Sequence, residues 1–191
     1  QERSNGQLIV CPQSLFKYHP DFDIILGEIL RSLPKARIQI IDGSHPAWSV
    51  ALKARMLKKI SDVSDRVEII ARRSREDLAR LMRVADVILD TPHFSGGITT
   101  FQSLAAGTPV VTLPGEFMRS RVTYGIYKQM DMVDCVSTDV EGYIEITKRL
   151  CLDTTFAKGI RNQIFEGQEK IFDNRSTITR HANFFEKVLF E

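Results

Sequence analysis

The sequence lacks a hydrophobic run close to the roughly 18–20 residues that cross a bilayer, so we predict no membrane-spanning segment. It also lacks an excess of one charge, because 26 Lys and Arg residues face 24 Asp and Glu residues and leave a net charge of +2. This balance argues against a dedicated nucleic-acid binder. Cysteine is scarce: Cys11, Cys135 and Cys151 are too widely spaced to form a metal-ligand cluster. We therefore expect a reduced, cytoplasmic setting.

The chain itself has the size and composition of one globular domain. It contains 191 residues, of which 43% are hydrophobic, enough to build a substantial core. Its first residues are Gln1-Glu2-Arg3 without a Met, and we expect 1–191 to be a single domain from a longer polypeptide.

Short apolar segments alternate with segments of helical periodicity along most of the chain. Strands that are apolar throughout and alternate with helices predict a parallel sheet covered on both faces, the doubly wound, Rossmann-like α/β fold. We predict strands at Leu8–Cys11, Ile38–Ile41, Val67–Ala71, Val87–Leu89, Val110–Leu113 and near 134–136; helices at Asp21–Leu33, Ala47–Ile60, from Ser74, at Ile98–Ala106 and Met118–Met130; and a mostly helical tail at about 140–191.

The most informative segment joins the strand Val87–Leu89 to the helix that begins near Ile98. A small-residue loop, Ser95-Gly96-Gly97, opens directly onto the helix N-terminus. Unpaired N–H groups and the positive end of the helix dipole make such a junction a natural phosphate site. A plain strand-to-helix turn is the alternative. The predicted donors are the backbone groups of Gly96, Gly97, Ile98 and Thr99, with a hydroxyl from Thr99 or Thr100.

Three motifs in consistent order connect the chain to a known family. They read CPQSLFKYHP at 11–20, RRSRED at 72–77, and LDTPHFSGGITT at 89–100 followed by AAGTPVVTLPGE at 105–116. Together they resemble the C-terminal nucleotide-sugar domain of the O-GlcNAc transferase/SPINDLY glycosyltransferases, particularly the bacterial members. The resemblance implies a GT-B architecture, in which two Rossmann-like domains face each other across a cleft. The donor, commonly UDP-GlcNAc or GDP-fucose, binds mainly to the C-terminal domain.

The resemblance also assigns roles to side chains. Lys17 matches a family lysine that neutralises the diphosphate and would stabilise the leaving group. Gln13, on the same loop, is a weaker candidate for a donor contact. Arg72 and Arg73 follow the third strand, where they would stack on the base or form only a solvated cluster. His93 would hydrogen-bond the diphosphate or simply pack the turn.

Two positions depart from the family pattern. Gln102 stands where the family usually has an Asp or Glu that holds the ribose hydroxyls. An amide accepts with only one oxygen, so ribose would be held more weakly. Gly97 and Ile98 replace a His or Asn followed by Thr, which removes a polar side-chain contact but keeps the backbone donors.

The resulting prediction is the donor-binding half of an inverting protein O-glycosyltransferase that transfers GlcNAc or a related sugar to Ser or Thr. We expect it to need no metal or other cofactor. A missing N-terminal domain, commonly preceded by tetratricopeptide repeats, would supply the acceptor site, so this chain alone should bind nucleotide and transfer little. Two alternatives stay open: another GT-B enzyme such as a nucleotide-sugar 2-epimerase, or a degenerate, non-catalytic nucleotide-binding module.

Overall fold

Five short parallel strands form a single sheet in the computed structural model, which describes residues 6–190. In chain order they are Leu8–Cys11 (β1), Arg37–Ile41 (β2), Val67–Ile70 (β3), Val87–Leu89 (β4) and Val110–Val111 (β5). Their order across the sheet is β3-β2-β1-β4-β5. The order reverses between β1 and β4, and in such sheets a crevice opens beyond the carboxyl ends of the strands at that point. The predicted α/β, Rossmann-like fold is confirmed.

The centre of the sheet is buried on both faces. Ile9 of β1 pairs with Ile38 of β2 on one side and with Val87 of β4 on the other, and all three side chains are inaccessible to solvent. The edge strand β3 is only half-buried, and its Glu68 accepts a hydrogen bond from Gln39 at 2.8 Å. Full burial between helices explains why the central strands read as continuous apolar runs.

Eight α-helices cover the sheet or extend from it in the described part of the chain. The first, α1, begins at Pro20 because Pro suits the first helical position, and the side chain of His19 caps the Asp21 N–H. The helices are Pro20–Ser32 (α1), Pro46–Lys59 (α2), Arg75–Val84 (α3), Ile98–Ala105 (α4), Val122–Gln129 (α5), Val140–Leu152 (α6), Thr154–Gly167 (α7) and Arg175–Phe190 (α8).

The structure differs from the sequence prediction in the segment after β5. The helix predicted at Met118–Met130 is divided into a 3₁₀ turn, Met118–Ser120, and α5, because Arg121 leaves helical geometry with φ −123° and ψ 7°. The strand predicted near 134–136 is a single parallel bridge between Thr112 and Val136. The pairing stays this short because β5 itself contains only two residues.

The predicted helical tail consists of α6, α7 and α8. Tyr143 and Leu150 of α6 and Ile160 and Ile164 of α7 are buried in the core. Every residue of α8 is exposed. None of the helices within residues 6–190 has both the length and the apolar character needed to cross a membrane.

Candidate functional site

A buried carboxylate at the end of β4 organises the glycine loop. Asp90 is 1% exposed. It accepts hydrogen bonds from the Ser95 hydroxyl at 2.6 Å, the Gly96 N–H at 2.6 Å and the Thr112 hydroxyl at 2.7 Å. Burial raises the pKa of Asp90, and these hydrogen bonds offset part of that effect. Asp90 therefore fixes the path of the loop from beneath.

Three hydroxyl groups form a second buried layer under the same loop. The Ser95 hydroxyl, which donates its proton to Asp90, lies 2.9 Å from Thr123 Oγ1 and accepts from the Thr123 N–H at 3.0 Å. Thr100 Oγ1 lies 2.8 Å from Thr123 Oγ1. The Thr100 hydroxyl is thus turned into the loop interior. The hydroxyl of Thr99 or Thr100 was predicted to meet a phosphate. That of Thr100 instead joins α4 to α5 through Thr123.

The two glycines of the loop have different environments. A Cβ on Gly96 would meet Thr100 Oγ1 at 2.7 Å, Thr99 Oγ1 at 2.8 Å and the Gln13 amide nitrogen, whereas a Cβ on Gly97 would meet nothing within 4 Å. Close packing therefore requires a glycine at position 96 but not at position 97. The Gly96 N–H is occupied by Asp90, so the open donors of the predicted set are the first amides of α4, at Ile98 and Thr99, where a helix has no internal acceptors.

Lys17 and Gln13 link the end of β1 to this loop. The Lys17 ammonium donates to Gln13 Oε1 and to the Ser95 carbonyl, both at 3.0 Å. Gln13 in turn donates to Thr99 Oγ1 at 2.8 Å. Burial lowers the pKa of Lys17, while the charge of Asp90 acts in the opposite direction. A lysine, a glutamine and a helix N-terminus therefore meet at the crossover point of the sheet.

A cavity of about 300 Å³ lies beside this group at the ends of β1 and β2. Gln13 belongs to its wall, so the cavity and the glycine loop are contiguous. Aromatic rings line part of it: Trp48 packs edge-on against Phe16, with centroids 6.0 Å apart. Trp48, which belongs to α2, thus contributes to the cavity wall. Arg72 also lines the cavity.

The remaining predicted residues lie further from this group or point elsewhere. His93 has φ +69° and turns toward the start of α1, where its Nε2 is 3.2 Å from Asp21 Oδ2. Gln102 is half-buried on α4, one turn after Ile98. Arg73 is exposed and is not part of the cavity wall.

Asp90, which holds the glycine loop in place, is the residue that sequence reasoning missed. A carboxylate directly after a buried strand, followed five and six residues later by Ser and Gly, was the available signal. Spacing alone did not reveal that Thr112 and Thr123 complete the network, because both belong to later elements.

This architecture is that of one Rossmann-like half of a GT-B glycosyltransferase. The chain belongs to glycosyl transferase family 41, whose family model matches residues 4–180. The resemblance to the O-GlcNAc transferase/SPINDLY enzymes is thereby confirmed, and this membership does not favour the 2-epimerase alternative.

Named relatives support the same family. The chain is 26% identical over 151 residues to a UDP-N-acetylglucosamine–peptide N-acetylglucosaminyltransferase of Giardia intestinalis, covering 78% of this chain and 10% of the relative. It is 24% identical over 161 residues to a probable SPINDLY enzyme of Solanum lycopersicum, covering 82% of this chain and 17% of the relative. The chain therefore spans less than a fifth of these proteins.

A solved structure aligns with nearly the whole chain. It is a variant of the O-GlcNAc transferase of Thermobaculum terrenum, with 25% identity and a TM-score of 0.87. The alignment covers 98% of this chain and 36% of the other. The chain thus corresponds to about one third of that enzyme.

Proposed function

We propose that this chain is the donor-binding domain of an inverting protein O-glycosyltransferase. The observation that carries the proposal is the hydrogen-bonded link from Lys17 through Gln13 to Thr99, which places a cation at the N-terminus of α4. The positive end of the α4 dipole and the Lys17 ammonium repel each other. A diphosphate bound between them would relieve that repulsion. The names of the relatives support a nucleotide sugar as donor.

In this proposal the diphosphate lies against the open amides of Ile98 and Thr99, next to the N-cap residue Gly97. The Lys17 ammonium faces the same oxygens and stabilises the negative charge that grows on the leaving nucleoside diphosphate. Because Lys17 is half-buried, its charge is less screened than that of a surface lysine. The backbone donors and Lys17 would thus do the work that a divalent cation does in other transferases, without a metal.

The nucleoside would occupy the cavity next to Gln13. Trp48 and Phe16 offer ring edges and Arg72 offers a guanidinium plane, groups that pack against a base. Gln102 would contact the ribose. The acceptor Ser or Thr and a general base would come from the N-terminal domain of the full-length protein, which we expect to carry tetratricopeptide repeats as well. UDP-GlcNAc is the first donor to test, followed by GDP-fucose.

Calorimetric titration of the chain with UDP, GDP, UDP-GlcNAc and GDP-fucose tests the donor site. We expect one nucleotide to bind with one site per chain, because the cavity and the α4 N-terminus are contiguous. Lys17→Ala should weaken that binding at least tenfold, the size of effect expected for about 1.4 kcal/mol. Gln102→Ala should weaken it less, since the amide makes only a neutral contact.

Lys158→Ala is the matched control, because Lys158 is an exposed lysine on α7. An equal loss in the Lys17 and Lys158 variants would show non-specific attraction and contradict the proposal. Absence of binding would mean either that the missing domain completes the site or that the site is degenerate, as Gln102 and the Gly97-Ile98 pair suggest. The same titration of the full-length protein would decide between the two.

A further inference from the structure

A second cluster of ligand-type side chains lies between the start of α1 and the loop after β4. We propose that His19, Asp21 and His93 form a binding site for a divalent transition metal, with zinc as its representative. One ligand atom from each residue lies within 4.8 Å of the other two. His19 and Asp21 stand at the start of α1, which follows β1, and His93 lies in the loop after β4. A bound ion would therefore connect the end of β1 to the end of β4.

The distances suit a tetrahedral ion. Zinc binds imidazole nitrogen and carboxylate oxygen at about 2.0–2.2 Å, which places its ligand atoms roughly 3.3 Å apart. Asp21 Oδ2 is 3.1 Å from His19 Nδ1 and 3.2 Å from His93 Nε2. The two imidazoles each offer a ring nitrogen within 4.8 Å of the other's. Two imidazoles and one carboxylate favour zinc, nickel or copper over magnesium, which prefers oxygen ligands alone.

A cation would replace one long hydrogen bond of this cluster. His19 Nδ1 accepts the Asp21 N–H at 3.3 Å as the cap of α1, so in this tautomer the nitrogen carries its one lone pair on the side of Asp21, and a bound ion would take that lone pair from the N–H. The carboxylate oxygen Asp21 Oδ2, also an acceptor, lies 3.1 Å from the same nitrogen. Two acceptors at this distance repel unless a positive charge lies between them. A metal ion bound to both atoms would supply that charge, as a proton on Nδ1 also would.

The backbone holds the third ligand in an unusual conformation. His93 has φ +69°, a left-handed geometry that costs energy for a residue other than Gly. In this conformation its ring packs against that of His19, with centroids 4.5 Å apart. The side chains of His19, Asp21 and His93 are 50%, 63% and 55% exposed, so an ion and its bound water have access.

The site adjoins the proposed donor site without sharing its groups. His19 follows Lys17 by two residues, and His93 precedes Ser95 by two. An ion here would restrain both loops that hold the Lys17–Ser95 hydrogen bond. The inference does not depend on nucleotide binding, because it rests only on the geometry of these three side chains.

Titration of the chain with zinc, in the absence of nucleotide, tests the site. Two variants remove an imidazole and keep the local backbone: His93→Asn, since Asn tolerates left-handed φ, and His19→Ser, since Ser also caps a helix. The wild-type chain should bind one zinc ion per molecule, and each variant should lose at least tenfold in affinity. His181→Asn is the control, because His181 is an exposed histidine on α8.

A second measurement guards against variants that fold poorly. Zinc should raise the thermal unfolding midpoint of the wild-type chain, and excess chelator should reverse the rise. Both variants should show the wild-type midpoint in chelator and a smaller rise with zinc. Binding that is equally tight in the His19, His93 and His181 variants, or no binding by the wild-type chain at micromolar zinc, would overturn the proposal.

Discussion

The loop at the proposed donor site and the C-terminal helix α8 differ in how their side chains are buried. Under the loop, Asp90, Ser95, Thr100 and Thr123 are buried and hydrogen-bonded to one another or to a neighbour. Within residues 6–190, no buried side-chain polar atom lacks a hydrogen-bond partner. The buried side chains beneath the loop therefore find all their hydrogen-bond partners within this domain.

The side chains of helix α8 are exposed rather than buried. Every one of its residues is exposed, although it carries large apolar side chains: Ile178, Phe184, Phe185, Val188, Leu189 and Phe190. An apolar surface of this extent is typical of regions that pack against another surface. The comparison indicates that the loop after β4 is held by hydrogen bonds within this domain, whereas α8 contributes little to the stability of the domain.

Removal of the carboxylate at the centre of the loop should have the largest effect. In Asp90→Ala, the Gly96 N–H and the hydroxyls of Ser95 and Thr112 lose their shared acceptor. A buried donor without a partner costs about 1–3 kcal/mol, so we expect the free energy of unfolding to fall by about 2–4 kcal/mol. Urea denaturation measures this change. Glu166→Gln, at an exposed position on α7, should leave it within about 0.5 kcal/mol.

The same carboxylate predicts a pH dependence. Burial raises the pKa of Asp90 in the folded chain, so the folded state binds this proton more tightly than the unfolded state. The contribution of Asp90 to stability therefore falls as pH rises from the ordinary carboxyl pKa through the raised one. Asp90→Ala should remove this slope from a series of urea titrations across acidic pH. An unchanged slope would show that other groups produce it.

Local patterns were sufficient to predict much of the fold and part of the site. The apolar runs at β1 and β4 are continuous because both faces are covered, and the Ser-Gly-Gly loop marked the α4 N-terminus. The patterns could not predict contacts between distant segments. His19 and His93 meet across more than 70 residues, and the side-chain direction of Thr123 depends on where α5 begins. That beginning follows from Arg121, whose departure from helical geometry has no local sequence signal.

The two glycines of the loop provide a smaller and sharper test. In Gly96→Ala the added methyl group would collide with Thr99, Thr100 and Gln13, and we expect a loss of about 1–3 kcal/mol in the free energy of unfolding. Gly97→Ala adds the same methyl group in open space at φ −115°, and should cost less than about 1 kcal/mol. Urea denaturation of both variants gives the comparison directly. Equal losses would mean that packing beneath the loop does not determine its shape.

The smallest effect should come from α8, and it bears most directly on the contrast between the two regions. Phe185 is 56% exposed, so Phe185→Ala removes little buried surface and should change the free energy of unfolding by no more than about 0.5 kcal/mol. Ile164, fully buried on the preceding helix α7, is the matched position: Ile164→Ala should cost about 2–5 kcal/mol. Urea denaturation of the isolated chain measures both. A loss of several kcal/mol for Phe185→Ala would mean that α8 packs against the domain, and the proposed contrast between a loop held within the domain and an unsupported helix would then be wrong.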